Sequence, residues 1–259
     1  MMRQVKSAFK RIFRAAGFDI VRLPTSVAPP FQKKDYLFES DDLFKSIYRE
    51  AIRISNSPQD PDVFPHRLYN TLQFLDYTAN LAGDVVECGC FKGRSSFVFC
   101  QYIRLMNPRF KGEGYHIFDS FQGLSQPTQE DTITNSAYGL PGTYCMEARS
   151  FCGNLDEVKT ALREFPLIEY QPGWIPESLN GLPERTYKFI HLDLDLYRPI
   201  YGAIEYFYPR LVPGGVIVVD EYGLPRWPGA RQAVNEFCTR AGTSPIGLTT
   251  GNGVIIKTG

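Results

Sequence analysis

The feature that most restricts how this chain can fold is an alternation. Between residues 84 and 219, short apolar runs recur with helix-like stretches between them. The runs at residues 84–88, 114–118, 168–171, 187–192 and 216–219 read as strands, and the aromatic-rich stretch 199–211 reads as a helix closed by the turn Pro213-Gly214-Gly215. Strands separated by helices need crossover connections, so the expected fold is α/β, a mainly parallel sheet flanked by helices. Open sheets of this kind bind ligands outside the carboxyl ends of their strands, which makes the residues ending each run the informative ones.

The 259 residues, 43% hydrophobic and 22% charged, suit one such domain with terminal additions. The 28 basic and 28 acidic side chains balance, so no global field draws the chain to nucleic acid. Six scattered cysteines lack a paired CxxC spacing, no apolar run approaches the roughly 20 residues that cross a bilayer, and the start lacks a signal-peptide pattern. A soluble cytoplasmic protein with reduced thiols is expected. Residues 1–34 read as an N-terminal extension: a basic amphipathic helix over 5–16, with Phe9, Ile12, Phe13 and Ala16 among Lys6, Lys10, Arg11 and Arg14, then a proline-rich linker. Packing on the domain or on another subunit of a homo-oligomer, or peripheral contact with a membrane surface, are its two readings. Residues 35–82 read as a helical cap with an apolar face at Leu68, Leu72, Leu75 and Ala79, and residues 83–259 as the core.

The first core strand runs into Glu87-Cys88-Gly89-Cys90-Phe91-Lys92-Gly93-Arg94-Ser95-Ser96. Gly89 and Gly93 allow a ligand close to the backbone where strand turns to helix. Cys90 and Phe91 stand where a dinucleotide fingerprint would carry its second glycine, which argues against a phosphate cradle. Glu87, expected to face the crevice, suits a cationic or amine-bearing ligand, and S-adenosylmethionine has a sulfonium, an amine and no phosphate. Asp119 ends the next strand, where an acid can accept from both ribose hydroxyls. Two later strands end in Asp193-Leu194-Asp195 and Asp220-Glu221. Four acids at one sheet edge repel one another unless protons or a cation intervene, and an all-oxygen donor set favours a hard ion such as Mg²⁺. Such an ion lowers the pKa of a bound hydroxyl, and a nearby carboxylate can then take its proton.

These residues carry a resemblance. The chain from about residue 84 to 237 resembles the macrocin O-methyltransferase family, Mg²⁺-dependent methyltransferases of antibiotic sugars, through Val86-Glu87-Cys88-Gly89, Phe118-Asp119-Ser120-Phe121-Gln122-Gly123-Leu124, Pro172-Gly173-Trp174, Leu192-Asp193-Leu194-Asp195-Leu196-Tyr197, Asp220-Glu221-Tyr222-Gly223 and Ala230-Arg231-Gln232-Ala233-Val234-Asn235-Glu236-Phe237. The resemblance implies a Rossmann-like class I methyltransferase fold and a small-molecule or glycan acceptor. It implies Asp193, Asp220 and Glu221 as metal ligands and Asp195 as general base. Glu87, Gly89, Asp119 and Ser120 would hold the cofactor, with Trp174 and Ser178 on its adenine side. The chain departs from the family where Glu221 replaces an aspartate, Leu194 a glycine and Arg94 a glycine.

Two rivals explain parts of this pattern. A metal-dependent glycosyltransferase would use the Asp193-Leu194-Asp195 motif but leave residues 87–93 idle, and a cofactor-binding scaffold without turnover would fit the Glu221 departure. His191 reads as a buried core residue, and the polar loop 128–144 as a lid over the substrate.

Overall fold

The computed structural model describes residues 37–56, 63–134 and 143–259, so the expected N-terminal helix and linker lie outside the described residues, as does the middle of the expected lid, residues 135–142. The chain forms two compact units, residues 1–41 and 42–259. The described part of the first includes one helical turn, α1 (Leu37–Ser40).

In the second unit the order is α2 (Asp42–Ile54), α3 (Val63–Tyr77), β1 (Asp84–Cys88), α4 (Arg94–Met106), β2 (Tyr115–Asp119), β3 (Ile133–Thr134), β4 (Thr143–Tyr144), α5 (Leu155–Ala161), β5 (Glu169–Pro172), β6 (Tyr187–Leu192), α6 (Tyr197–Phe207), β7 (Leu211–Val219), α7 (Pro228–Ala241), β8 (Ile246–Gly247) and β9 (Gly253–Ile256). β3 and β4 pair with each other; the remaining strands form one sheet in the order β5-β2-β1-β6-β7-β9-β8. β5, β2, β1, β6 and β7 are parallel, and β9 is antiparallel to β7. The expected parallel α/β sheet is therefore present. Strand order reverses between β1 and β6, and the crevice that such a reversal opens lies outside their carboxyl ends.

Residues 216–219 of β7 form an unbroken apolar run, and β6 is interrupted only by Lys188 and His191, because both faces of these strands are covered. On one face Ile190, Ile217, Ile200, Ala203, Ile204, Phe207, Ala233, Val234 and Phe237 join one buried cluster linking the sheet to α6 and α7. Pro228 opens α7, and Gly242 closes it in a left-handed conformation that glycine adopts without strain.

Two differences from the sequence reading have physical reasons. The Pro213-Gly214-Gly215 turn lies inside β7, whose register slips between Leu211, opposite Tyr187, and Val216, opposite Phe189. The strand pairs on both sides of the excursion, so it begins earlier than its apolar run. The β8–β9 hairpin was absent from the expected strands, although Gly251, whose amide donates to the Leu248 carbonyl at 3.0 Å, supplies a turn residue ahead of the apolar Val254-Ile255-Ile256. No helix among the described residues is long and apolar enough to cross a membrane.

Candidate active site

A cavity of about 370 Å³ opens at the strand reversal. Its floor is made by the residues after β1, β2, β6 and β7, and one wall by Phe64, Arg67 and Leu68 of α3.

On the β1–β2 side, Asp119 organises the backbone. Its Oδ2 accepts from the amides of Cys90 and Phe91 at 2.8 and 3.0 Å, and Oδ1 accepts from the Phe121 amide at 2.7 Å. These three amides, with the Cys90 thiol beside them, take up most of the carboxylate's roughly four acceptor sites, which leaves less room than the two ribose contacts expected of it. Ser120 and Trp174 line the cavity, and both donate to the Gly123 carbonyl, at 2.7 and 3.0 Å, which locks the turn after β2 against the loop after β5.

Three residues expected at the cofactor stand differently. Glu87 is fully buried behind the cavity wall: Tyr115 donates to its Oε2 at 2.8 Å, Ser96 donates to the same oxygen, and Oε1 faces the His191 ring at 3.6 Å. A strand-end side chain pointing at the helix face rather than past the strand explains this. Gly93 also stands off the cavity; its φ of 79° forms the left-handed entry to α4, and an added Cβ would press on Val158 at 3.3 Å. Ser178 lies behind Trp174, with its hydroxyl buried and without a hydrogen-bond partner. Gly89 does line the cavity, yet what demands glycine there is the protein itself, since a Cβ would fall 1.9 Å from the Asp193 carbonyl.

On the β6–β7 side, carboxylate oxygens of Asp193, Asp195 and Glu221 come within 4.8 Å of one another. Burial raises the pKa of all three, helped at Asp193 by the Asp220 charge and at Asp195 and Glu221, which rise strongly, by Asp193 and the other acids nearby. Glu221 Oε2 is buried with no hydrogen-bond partner, and oxygen donors held this close fit a hard cation. Asp220, expected as a ligand, is engaged otherwise. Its Oδ2 is paired with Arg67, which also donates to its carbonyl at 2.6 Å, and Asn252 donates to Oδ1 at 2.7 Å. Burial works against charge on Asp220, but Arg67 and His191 outweigh it and depress the pKa. His191 bridges the two halves, with Nδ1 3.6 Å from Glu87 and Nε2 3.9 Å from Asp220. Burial disfavours its charge, yet the flanking carboxylates of Asp220 and Glu87 prevail and lift its pKa to about 10. The imidazole is buried, as its place in an apolar strand predicted, and it also touches the cavity.

Sequence reasoning missed Arg67 and Asn252, which reach Asp220 across 153 and 32 positions. The one signal for Arg67 was a cation placed beside Leu68 on the apolar face of α3. The outer wall is aromatic: Phe91, Phe151 and Trp227 meet edge-on or tilted at 6.2 and 6.4 Å, and the Arg226 guanidinium lies 5.1 Å over the Trp227 ring.

A parallel sheet closed by an antiparallel β8–β9 hairpin, with acids ending β2, β6 and β7 around one cleft, defines the class I methyltransferase fold. It superposes on the O-methyltransferase NovP with a TM-score of 0.64 and 21% identity, covering 85% of this chain and 98% of that one. The calicheamicin methyltransferase CalS11 gives a TM-score of 0.60 and 17% identity over 89% of this chain and 99% of that one. Residues 66–255 match the family model Macrocin-O-methyltransferase (TylF), and the chain belongs to that family. It is 29% identical over 177 residues to the 8-demethyl-8-(2,3-dimethoxy-alpha-L-rhamnosyl)-tetracenomycin-C 4'-O-methyltransferase of Streptomyces olivaceus, covering 66% of this chain and 64% of the relative, so it spans just under two thirds of that protein's length. It is 27% identical to the demethyldecarbamoylnovobiocin O-methyltransferase of Streptomyces niveus, over 74% of each chain.

Proposed function

We propose that the chain is an S-adenosylmethionine-dependent O-methyltransferase, assisted by Mg²⁺ or another hard divalent cation, acting on a hydroxyl of a sugar or glycosylated small molecule. The observation that carries this reading is the meeting, in one cavity, of an Asp119-braced turn and an oxygen cluster of Asp193, Asp195 and Glu221. The relatives support it, since their names are those of O-methyltransferases and one names a rhamnosyl-tetracenomycin.

Asp119 would accept from a ribose hydroxyl, and the Ser120–Gly123 turn with Trp174 would flank the adenine. Glu87 acts from below, holding Ser96, Tyr115 and His191 under the loop that carries Gly89. Asp193 and Glu221 would hold the cation with Asp195 beside it, and Asp220 anchors Arg67 and Asn252 alongside. When bound, S-adenosylmethionine supplies the methyl group and the cation lowers the pKa of the acceptor hydroxyl. Asp195, whose pKa is raised by burial and by Asp193 and Asp220, takes the hydroxyl proton. Phe151 and Trp227 give the acceptor an apolar face to rest on and exclude water. Free cysteines at all six positions suit a reducing compartment such as the cytoplasm.

Incubation with S-adenosylmethionine, Mg²⁺ and a panel of glycosylated acceptors, with S-adenosylhomocysteine as the measured product, tests the reading. Asp195→Asn should lower turnover by about 10²- to 10⁴-fold while S-adenosylhomocysteine binds as before. Tight calorimetric binding of a nucleoside diphosphate in place of S-adenosylhomocysteine would favour a glycosyltransferase instead.

A further inference from the structure

One buried carboxylate close to the site has no part in the chemistry above. Asp131 ends the short 3-10 turn Gln129–Asp131 on the loop after β2 and is 5% exposed. Its Oδ2 accepts from the Thr128 amide at 2.8 Å and the Thr128 hydroxyl at 3.0 Å, and its Oδ1 accepts from the Tyr197 amide at 2.8 Å. Tyr197 is the first residue of α6, two positions beyond Asp195. The residue at the N-cap of α6 is Leu196, whose side chain offers no acceptor, so Asp131 does from 66 positions away what a capping side chain does locally. A carboxylate is well matched to that end of the helix, where amide dipoles concentrate positive charge.

The same oxygen sets the approach of α7. At Gly229, in the first turn of that helix, an added Cβ would stand 2.0 Å from Asp131 Oδ1 and 2.9 Å from the Tyr197 Cβ. One carboxylate therefore touches the first turns of both helices that follow the acid-bearing strands. Asp195 needs such a hold, because its φ of 62° is a left-handed conformation that costs a non-glycine residue energy unless its surroundings fix it. Trp227 immediately precedes α7, so the same contact also locates the aromatic wall.

We infer that Asp131 is a positioning residue, which caps α6 from outside and spaces α6 from α7, so that Asp195 and Trp227 face each other across the acceptor space. The inference rests on the reading of Asp195 as the base. Its test compares Asp131→Ala, Asp131→Asn, Gly229→Ala and the Asp131→Ala/Gly229→Ala double variant in the full chain, with S-adenosylmethionine, Mg²⁺ and a simple rhamnoside as acceptor probe. Asp131→Ala should lower kcat by about 10²-fold, with S-adenosylhomocysteine affinity held within about threefold, since small displacements of a reacting group cost rate rather than remote binding. Asp131→Asn should recover part of that loss, because its amide oxygen still accepts from Tyr197. Gly229→Ala alone should also lower kcat, and the double variant should lose less than the sum of the two single losses, because the Asp131 part of the clash disappears with the carboxylate while the approach to the Tyr197 Cβ remains. A kcat unchanged in Asp131→Ala, or a kcat and cofactor affinity that fall together, would overturn the inference. If the wild-type chain methylates no rhamnoside, the functional reading has lost this support, and hydrogen exchange over residues 193–200 in the S-adenosylhomocysteine complex decides the positioning claim alone. Faster exchange in Asp131→Ala upholds it; exchange equal to wild type refutes it.

Discussion

Asp220 and Glu221 are neighbours in sequence with opposite electrostatic fates. Asp220 is held ionised by Arg67 and His191, whereas Glu221, closer to Asp193 and Asp195, is pushed toward its neutral form by burial and by those acids. Arg67 is the side chain on which this division turns, since it is buried and pairs with both. Replacing it with methionine leaves Asp220 buried without its main partner, and breaking a buried pair in this way costs about 3–5 kcal/mol. Arg67→Met is therefore expected to unfold at clearly lower urea than wild type, and added Mg²⁺ should restore part of the difference by supplying the missing positive charge. Equal urea midpoints for the two proteins would count against this account of Arg67. The acids themselves were legible, because a strand end followed by a carboxylate is a local pattern. Arg67, Asn252 and Asp131 were not, because each acts on a residue brought near only by the fold, across 153, 32 and 66 positions.

Among the elements, the strands with both faces covered were the readable ones: β1 and β6 match their runs at residues 84–88 and 187–192, where Val85, Val86, Phe189 and Ile190 are all buried. The β8–β9 hairpin was harder, because β8 is two residues long and exposed, so no run of apolar positions announces it. The amino-terminal edge of the sheet carries its own ionic network. Asp84 at the start of β1 lies 2.9 Å from His116 of β2 and 3.2 Å from Arg185, which also reaches Glu169 of β5 at 3.0 Å. Burial works to raise the Asp84 pKa, but His116 and Arg185 outweigh it and the value falls below the ordinary one. A depressed folded-state pKa stabilises above the unfolded value, about 3.9, and that stabilisation fades as pH drops through the folded one. Urea midpoints for wild type and Asp84→Asn should therefore differ at pH 7 and converge as the pH approaches 3. A gap that stays constant across that range would show that the carboxylate's charge is not what stabilises this edge.

At the scale of the whole molecule, the fold brings a braced nucleoside-side turn and a strained acid cluster to one strand reversal and joins them through the buried His191. The cluster's raised pKa values have a thermodynamic consequence. A cation entering between Asp193, Asp195 and Glu221 must displace whatever protons those acids carry, so binding should release protons and tighten as pH rises. Calorimetric titration of Mg²⁺ in two buffers of different ionisation enthalpy reads that release directly; identical heats in both buffers would contradict it. Anomalous diffraction from crystals grown with S-adenosylhomocysteine and Mn²⁺ would locate cation and nucleoside in the cleft together. One strong manganese peak is expected between Asp193, Asp195 and Glu221, with the nucleoside's ribose against Asp119 in the same cavity. A manganese peak elsewhere, or an S-adenosylhomocysteine lying away from Asp119, would contradict that arrangement.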